Sequence, residues 1–244
     1  MTVQDHYDSH LGPVYSWMTG DFAAVVEANA AELRELGLAT PPPQALAIDL
    51  GAGPGGHALA LARAGYEVIA IDNCEPLLAE LQANTAGTAV RAAAGSLIQF
   101  RRHAPRLAHV VACMGDTLTH LDSIATVGQL LADASAALVP GGAFVTTFRD
   151  YVGRELEGTS RFIPVRADAD RILTCFLEYQ PTIVVVHDLL HERRAAGWEL
   201  RVSSYPKLRL DPRWVASRLE AEGLAVAVDT GRAGMVRIVA RRPA

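Results

Sequence analysis

The stretch DLGAGPGGHALALARAGYEVIAID, Asp49 to Asp72, constrains the fold more than any other. A short apolar run, Ala45–Leu50, meets three closely spaced glycines, Gly51, Gly53 and Gly56. Gly56–Ala64 then keeps a helical spacing, Gly65 closes it, and Tyr66–Ile71 is a second apolar run. Strand, glycine turn, helix and strand make a βαβ unit, with parallel strands and a right-handed crossover. The rhythm continues with a helix at Pro76–Ala83, a weak strand at Val90–Ala93 and a fourth strand at His109–Met114. A helix at Gly128–Leu138 follows, and Pro140-Gly141-Gly142 turns the chain into a fifth strand, Ala143–Phe148. The expected fold is α/β, a doubly wound, mostly parallel sheet with helices on both faces.

Beyond Phe148 the rhythm changes. Ile172–Tyr179, Ile183–His191 and Trp198–Tyr205 read as strands with no helix between them, so they are expected to pair antiparallel. A helix at Pro212–Glu222 follows, with Asp211 as N-cap and Pro212 at its first position. Ala225–Asp229 and Val236–Ala240 form a last hairpin. Before the βαβ unit, His6–Leu38 reads as helical, with its main helix at Asp21–Leu36, Gly37 as a stop and Pro41-Pro42-Pro43 as a break. The expected organisation is one domain over residues 1–244. It comprises an N-terminal helical segment (1–40), a core (44–150), an antiparallel insertion (151–210) and a C-terminal helix and hairpin (211–244).

Composition narrows the function classes. The net charge is −5, and the densest basic run, Arg101, Arg102, His103 and Arg106, is read as a solvated helix end or loop. A nucleic-acid partner, which needs a concentrated basic face, is not expected. Three cysteines, Cys74, Cys113 and Cys175, show no C-x-x-C spacing and suit free thiols in a reducing compartment. The N-terminus shows no basic start followed by an apolar stretch, and no apolar run has bilayer length. A cytoplasmic protein without a membrane partner is therefore expected. A homo-oligomer is compatible with the sequence, which sets no oligomeric state.

The glycine loop carries the chemistry. Gly51, Gly53 and Gly56 spell G-x-G-x-x-G, and Asp72 lies 21 positions past Gly51. Such glycines let a ligand approach the backbone, and an acidic residue at the next strand end accepts bonds from ribose hydroxyls. Both a dinucleotide and S-adenosylmethionine satisfy this pattern. Asp49 discriminates between them. A carboxylate at the first strand end repels a pyrophosphate and favours an ammonium and a sulfonium; read otherwise, it is a helix cap.

Asp49-Leu50-Gly51-Ala52-Gly53-Pro54-Gly55, Asp72, the run Val110–Leu121 (VVACMGDTLTHL) and Leu138–Val145 (LVPGGAFV) together resemble the ordered motifs of class I S-adenosylmethionine-dependent methyltransferases. The resemblance covers about Ala45 to Ala240. It implies a Rossmann-like seven-stranded sheet with a reversed last strand, beside an antiparallel β insertion that forms a substrate wall. It also implies an S-adenosylmethionine cofactor, leaving as S-adenosylhomocysteine. By the same resemblance Gly51, Ala52, Gly53 and Gly55 line the cofactor, Asp49 serves its amino-acid end and Asp72 its ribose. Asn73 and Cys74 lie near the adenine. Ser96-Leu97 stands where many members have an acid followed by an apolar residue, and Met114 and Tyr15 complete the cofactor set.

Two shorter stretches are similar to glycine N-methyltransferases. Met114–Leu121 resembles G-N-S-x-x-H-L with Asp116 for asparagine, and Phe148-Arg149-Asp150-Tyr151 resembles R-N-Y. Ser203-Ser204-Tyr205-Pro206 is similar to S-Y-Y-P. This implies a small-molecule acceptor, an amine or amino-acid-like one ahead of an oxygen nucleophile. Arg149 would grip a carboxylate, with an ion pair to Asp150 or Asp116 as its other reading. His120 and Asp116 are the candidate catalytic groups; Tyr7 and Tyr205 are candidate acceptor contacts, Tyr7 on an N-terminal segment that would cover the site as a lid. The rival readings are an NAD- or flavin-dependent oxidoreductase and a non-catalytic S-adenosylmethionine-binding protein. His187, Asp188, His191 and Glu192 cluster in sequence but lack a partner group, so no metal is expected.

Overall fold

A computed structural model describes residues 2–244. The strands are β1 (Leu46–Leu50), β2 (Glu67–Asp72), β3 (Val90–Ala94), β4 (Ala108–Cys113), β5 (Leu138–Phe148), β6 (Phe162–Ala167), β7 (Arg171–Tyr179), β8 (Ile183–Arg194), β9 (Gly197–Leu208), β10 (Ala225–Thr230) and β11 (Val236–Arg241). The α-helices are α1 (Val3–His6), α2 (Tyr15–Thr19), α3 (Phe22–Glu35), α4 (Gly56–Ala64), α5 (Glu75–Asn84), α6 (Ile124–Ala136) and α7 (Pro212–Ala221).

One sheet has seven strands in the order β10-β11-β5-β4-β1-β2-β3. Only β11 is reversed: it runs antiparallel to β5 and β10, and the other pairs are parallel. The chain winds outward from β1 through β2 to β3, then returns to lay β4 on the other side of β1. That reversal opens a crevice at the carboxyl ends of β1 and β4.

Period-two alternation builds a core on each face. Leu46, Ile48 and Leu50 of β1 point to the face covered by α6 and α7, among Phe100, Phe144, Phe148, Leu130 and Leu219. Each such fully buried side chain contributes roughly 1.5–3 kcal/mol. The opposite face is lined by Ala47, Ala70, Ala112 and Ala143 against Ala58 and Leu61 of α4. Small residues there let α4 lie close to the sheet. Asp49 alternates onto that same face, beneath the start of α4, and is buried.

The continuous helical reading of His6–Leu38 is corrected. The chain forms α1, a π-helical turn at Tyr7–Leu11, a 3-10 turn at Gly12–Val14, then α2 and α3. Pro13 lacks an N–H, and Gly20 has φ +93°, so no single helix can pass through. A β-carbon on Gly12 would fall 2.5 Å from the Tyr7 carbonyl oxygen and 2.9 Å from Cys74 Sγ. This glycine therefore seats the segment on the core. Asp21 does cap α3, accepting from the Ala24 N–H at 2.7 Å.

The insertion is a separate sheet in the order β6-β7-β8-β9, antiparallel throughout. Its first strand escaped the sequence reading. Pro164 and Arg166 break the apolar pattern, and the pairing slips between them, as suits an edge strand. Its inward face packs Leu177, Val184, Val186 and Tyr205 against Tyr151. Among the described residues no helix is long and apolar enough to cross a membrane.

Candidate cofactor and acceptor site

A cavity of about 740 Å³ opens at the carboxyl edge of the large sheet. Its floor is the loop after β1. The Gly51 and Ala52 N–H groups donate to the Ile71 carbonyl of β2, and the Gly53 N–H donates to Asp72 Oδ2 at 2.7 Å. Asp72 Oδ1 accepts from the Cys74 N–H at 2.9 Å. Burial raises the Asp72 carboxyl above its ordinary range, and these bonds act against that. Gly51 has φ +70°, and a β-carbon on it would collide with the Thr117 side chain. Its lack of a side chain thus serves both the turn and the packing of the loop after β4.

Gly51, Ala52, Gly53, Asp72, Asn73, Cys74, Ser96, Leu97, Met114, Tyr7, Tyr15 and His120 all line this cavity. Five residues expected at the site do not. Gly55 (φ +94°) faces α5, where a β-carbon would lie 3.2 Å from Leu81 and 3.3 Å from Thr85. Asp49 lies behind the loop. The Ala58 N–H donates to its carboxyl, but Oδ2 is buried without a partner. Burial, then the nearby Asp72, raises its pKa to about 7. Arg149 is exposed outside the lining. Tyr205 is buried behind it, its ring 5.7 Å from that of His120.

Asp116 is the fifth, and its carboxylate is already paired. It is buried, with φ +77°. Oδ1 accepts from the Arg149 N–H at 2.9 Å, and Oδ2 accepts from Lys207 Nζ and, at 3.4 Å, from the Tyr151 hydroxyl. Burial alone would raise this carboxyl; Lys207, with His120 and the Arg149 N–H, outweighs burial and holds it below its ordinary value. Burial opposes the Lys207 ammonium likewise, and Asp116 overrides it, raising that pKa. Asp116 therefore clamps together the loops after β4 and β5 and the end of β9. Lys207 escaped the sequence reading, although period two places it on the inward face with Ser203 and Tyr205.

His120 sits within this clamp. Burial, reinforced by Lys207, drives its pKa down to about 3, so the imidazole is neutral across the physiological range. Its Nε2 is buried without a partner, and its ring lies 5.5 Å from that of Tyr7. Thr2, Val3, Gln4, Tyr7 and Tyr15 bring the N-terminal segment over the cavity. A buried cluster fastens that segment to the β wall. His6 bonds Ser203 Oγ at 2.8 Å and Asp188 Oδ2 at 3.0 Å, and Cys175 donates to Asp188 Oδ1. Burial would raise Asp188, but the bonds from His6 and Cys175 hold it below its ordinary value. Asp188 thus belongs to a fastening and does not face the cavity. Among the described residues no group of three or more His, Cys, Asp or Glu is placed to hold a metal ion.

Residues 47–142 match the family model described as a methyltransferase domain. That match runs from β1 into β5, the part of the chain that carries the glycine loop and the end of β4. Solved structures carry the same fold at low identity. The CcbJ methyltransferase from Streptomyces caelestis is 21% identical, covers 98% of both chains and has a TM-score of 0.78. CalS10, an amino pentose methyltransferase from Micromonospora echinaspora solved with S-adenosylmethionine, is 21% identical over 99% of this chain and 98% of its own, with a TM-score of 0.72. DesVI from Streptomyces venezuelae is 18% identical over 95% and 96%, at 0.74. No curated protein matches the sequence. A floor without side chains and an unpartnered carboxylate oxygen behind it suit a cationic ligand lying close to the backbone.

Proposed function

We propose that this chain is an S-adenosylmethionine-dependent methyltransferase that methylates the amine nitrogen of a small polar molecule, on the methyltransferase-domain match over residues 47–142 and the geometry of the cavity. The carrying observation is His120, a neutral, half-buried imidazole whose buried Nε2 lacks a partner at the cavity wall, edged by the ring of Tyr7. Asp72 takes the cofactor's ribose hydroxyls, Ser96 and Leu97 meet the adenine, and Gly51 and Gly53 lie under the sulfur side. Asp49 supplies negative charge behind them. Bound S-adenosylmethionine supplies a methyl carbon already activated by its sulfonium.

The chain must then orient a lone pair and exclude water. His120 Nε2 accepts an N–H of the incoming amine and so turns the lone pair toward the methyl. Its low pKa suits an orienting acceptor better than a proton store, because imidazolium is disfavoured there. The same desolvation discharges an incoming ammonium. The Asp116–Lys207 clamp keeps the His120 loop in place, and the N-terminal segment closes the site. Two neighbours favour nitrogen: CalS10 is an amino pentose methyltransferase, and KedS8 from Streptoalloteichus is a sugar N-methyltransferase. A screen of amino sugars, amino acids and their hydroxyl analogues for S-adenosylhomocysteine release tests the reading. Turnover of hydroxyl compounds alone would overturn it.

A further inference from the structure

An antiparallel sheet with one face on the core alternates apolar side chains inward and polar ones outward. The β6-β7-β8-β9 sheet departs from that rule. β8 does turn Val184, Val186, Asp188 and Leu190 inward, all of them buried. Its outward residues are Val185, His187, Leu189 and His191, and the neighbouring strands extend their apolar character. Leu189 pairs with Thr174 of β7 and Val202 of β9, and His191 pairs with Ile172 and Leu200. Phe162, Ile172, Trp198, Leu200 and Val202 are 40–55% exposed. On β9 it is the polar Arg201 that turns to the other side, where it donates to the Ser9 carbonyl of the N-terminal segment. Among the described residues, no core cluster takes up Phe176, Val185 or Leu189. One polar chain crosses this outer face and is satisfied within it: Ser204 Oγ bonds His187 Nδ1 at 2.8 Å, and His187 Nε2 bonds Glu178 at 3.0 Å.

We propose that this outer face packs against the same face of a second copy of the chain, forming a twofold dimer. Its size suits that occupant. Along β8, Val185 to Arg193 spans about 27 Å, and four strands are about 19 Å wide, so the face covers roughly 500 Å² in plan. Side chains standing out of that plane, with the rim, bring its accessible area toward about 800 Å² per partner, the size of a stable interface. Its charge suits a copy as well. Each end carries one cation and one anion: Arg161 and Glu178 at one, Arg193 and Asp170 at the other. A second copy therefore meets no surplus of like charge, whereas an anionic membrane or a nucleic acid would call for a basic surplus. Two such sheets stack aligned about 10 Å apart, and a patch that meets its own image closes as a pair. On its inward side β8 anchors His6 through Asp188, so a strand at the middle of the dimer also holds the latch of the N-terminal segment.

The test is the mass of the full chain in solution, read by light scattering at micromolar concentration. The wild type should have the mass of two chains. Val202→Arg on β9 and Thr174→Arg on β7 each set a charge on the outer face, and each should halve the mass while circular dichroism stays unchanged. Thr174 is half-buried, so Thr174→Lys, whose longer reach lifts the charge clear of the sheet, repeats the test should the arginine disturb folding. Val228→Arg on β10, at a position 50% exposed and outside this face, should remain a dimer. A wild-type monomer would overturn the proposal, and its co-sedimentation with phosphatidylcholine vesicles would assign the face to a membrane. A dimer lost with Val202→Arg but kept with the Thr174 variants would mean that β9 pairs edge to edge, because Thr174 lies two strands from that edge; this too overturns face packing. A dimer that survives every substitution would place the interface elsewhere and overturn it likewise.

Discussion

The two walls of the cavity are built in different ways. The cofactor wall comes from a contiguous run, Asp49 to Asp72, extended by the ends of β3 and β4. Its key bond, from the Gly53 N–H to Asp72, spans 19 residues. The acceptor wall comes from distant parts of the chain. Lys207 meets Asp116 across 91 residues, and His6 meets Asp188 across 182. A wall made locally can be recognised by its pattern. A wall made by convergence depends on buried pairs, each of which fails when one partner is lost.

That difference should appear in how the two walls break. Lys207→Met leaves the Asp116 carboxylate buried and unpaired, which costs about 3–5 kcal/mol. Chemical denaturation should show this, and adding Asp116→Asn should recover most of it. If Lys207→Met leaves stability unchanged, the acceptor wall is not held by this pair. Asp72→Ala should instead act on ligand: S-adenosylhomocysteine affinity should fall about a hundredfold or more, reflecting lost bonds to ribose and a loosened Gly53 amide. A comparable collapse in stability would mean that the cofactor wall is no more locally built than the other. His120→Ala should lower kcat by about a hundredfold and spare S-adenosylhomocysteine binding, since it removes only an orienting contact.

Asp49 sharpens the comparison through pH. Its pKa is raised in the folded protein from 3.8 to about 7. A raised carboxyl penalises the folded state as pH climbs through that window, because the unfolded chain ionises first; the penalty is constant above it. Cationic cofactor favours the ionised form. S-adenosylmethionine affinity should therefore rise by up to about tenfold per pH unit below pH 7, level off above it, and release a proton on binding. Asp49→Asn should flatten the profile. An unchanged profile would remove Asp49 from the cofactor's electrostatics. The smallest effect belongs to Arg149→Ala. Exposed outside the lining, it should change the acceptor KM by about twofold at most, in line with surface substitutions. A large rise would return Arg149 to the acceptor wall.

Local patterns made much of the molecule legible. The α4 bounds agree at both ends, Asp211 caps α7 as expected, and the reversed hairpin follows from two short runs around a glycine turn. The illegible parts share a cause. Pro164 disguised an edge strand, and Gly12, Pro13 and Gly20 fragmented what periodicity read as continuous helix. Gly55 carried the right residue type for a cofactor floor but serves contact with α5. Asp116 and Arg149 were read from short motifs as a catalytic and an acceptor-gripping candidate. Packing made one of them an ion-pair partner and left the other in solvent.

The sequence by itself determined the βαβ unit, the glycine floor and the acidic residue closing it. Backbone conformation and period-two or helical burial act over a few residues, and each leaves a signature in residue type. Only the tertiary structure decided which polar groups end up paired. The pairing of Asn29 with Arg232 joins residues 203 positions apart. Whether their remaining donors are satisfied or left facing a cavity depends on how two helices, a hairpin and a loop pack together. Desolvation then sets the charge state of His120 and Asp49, and desolvation is a property of the packed molecule.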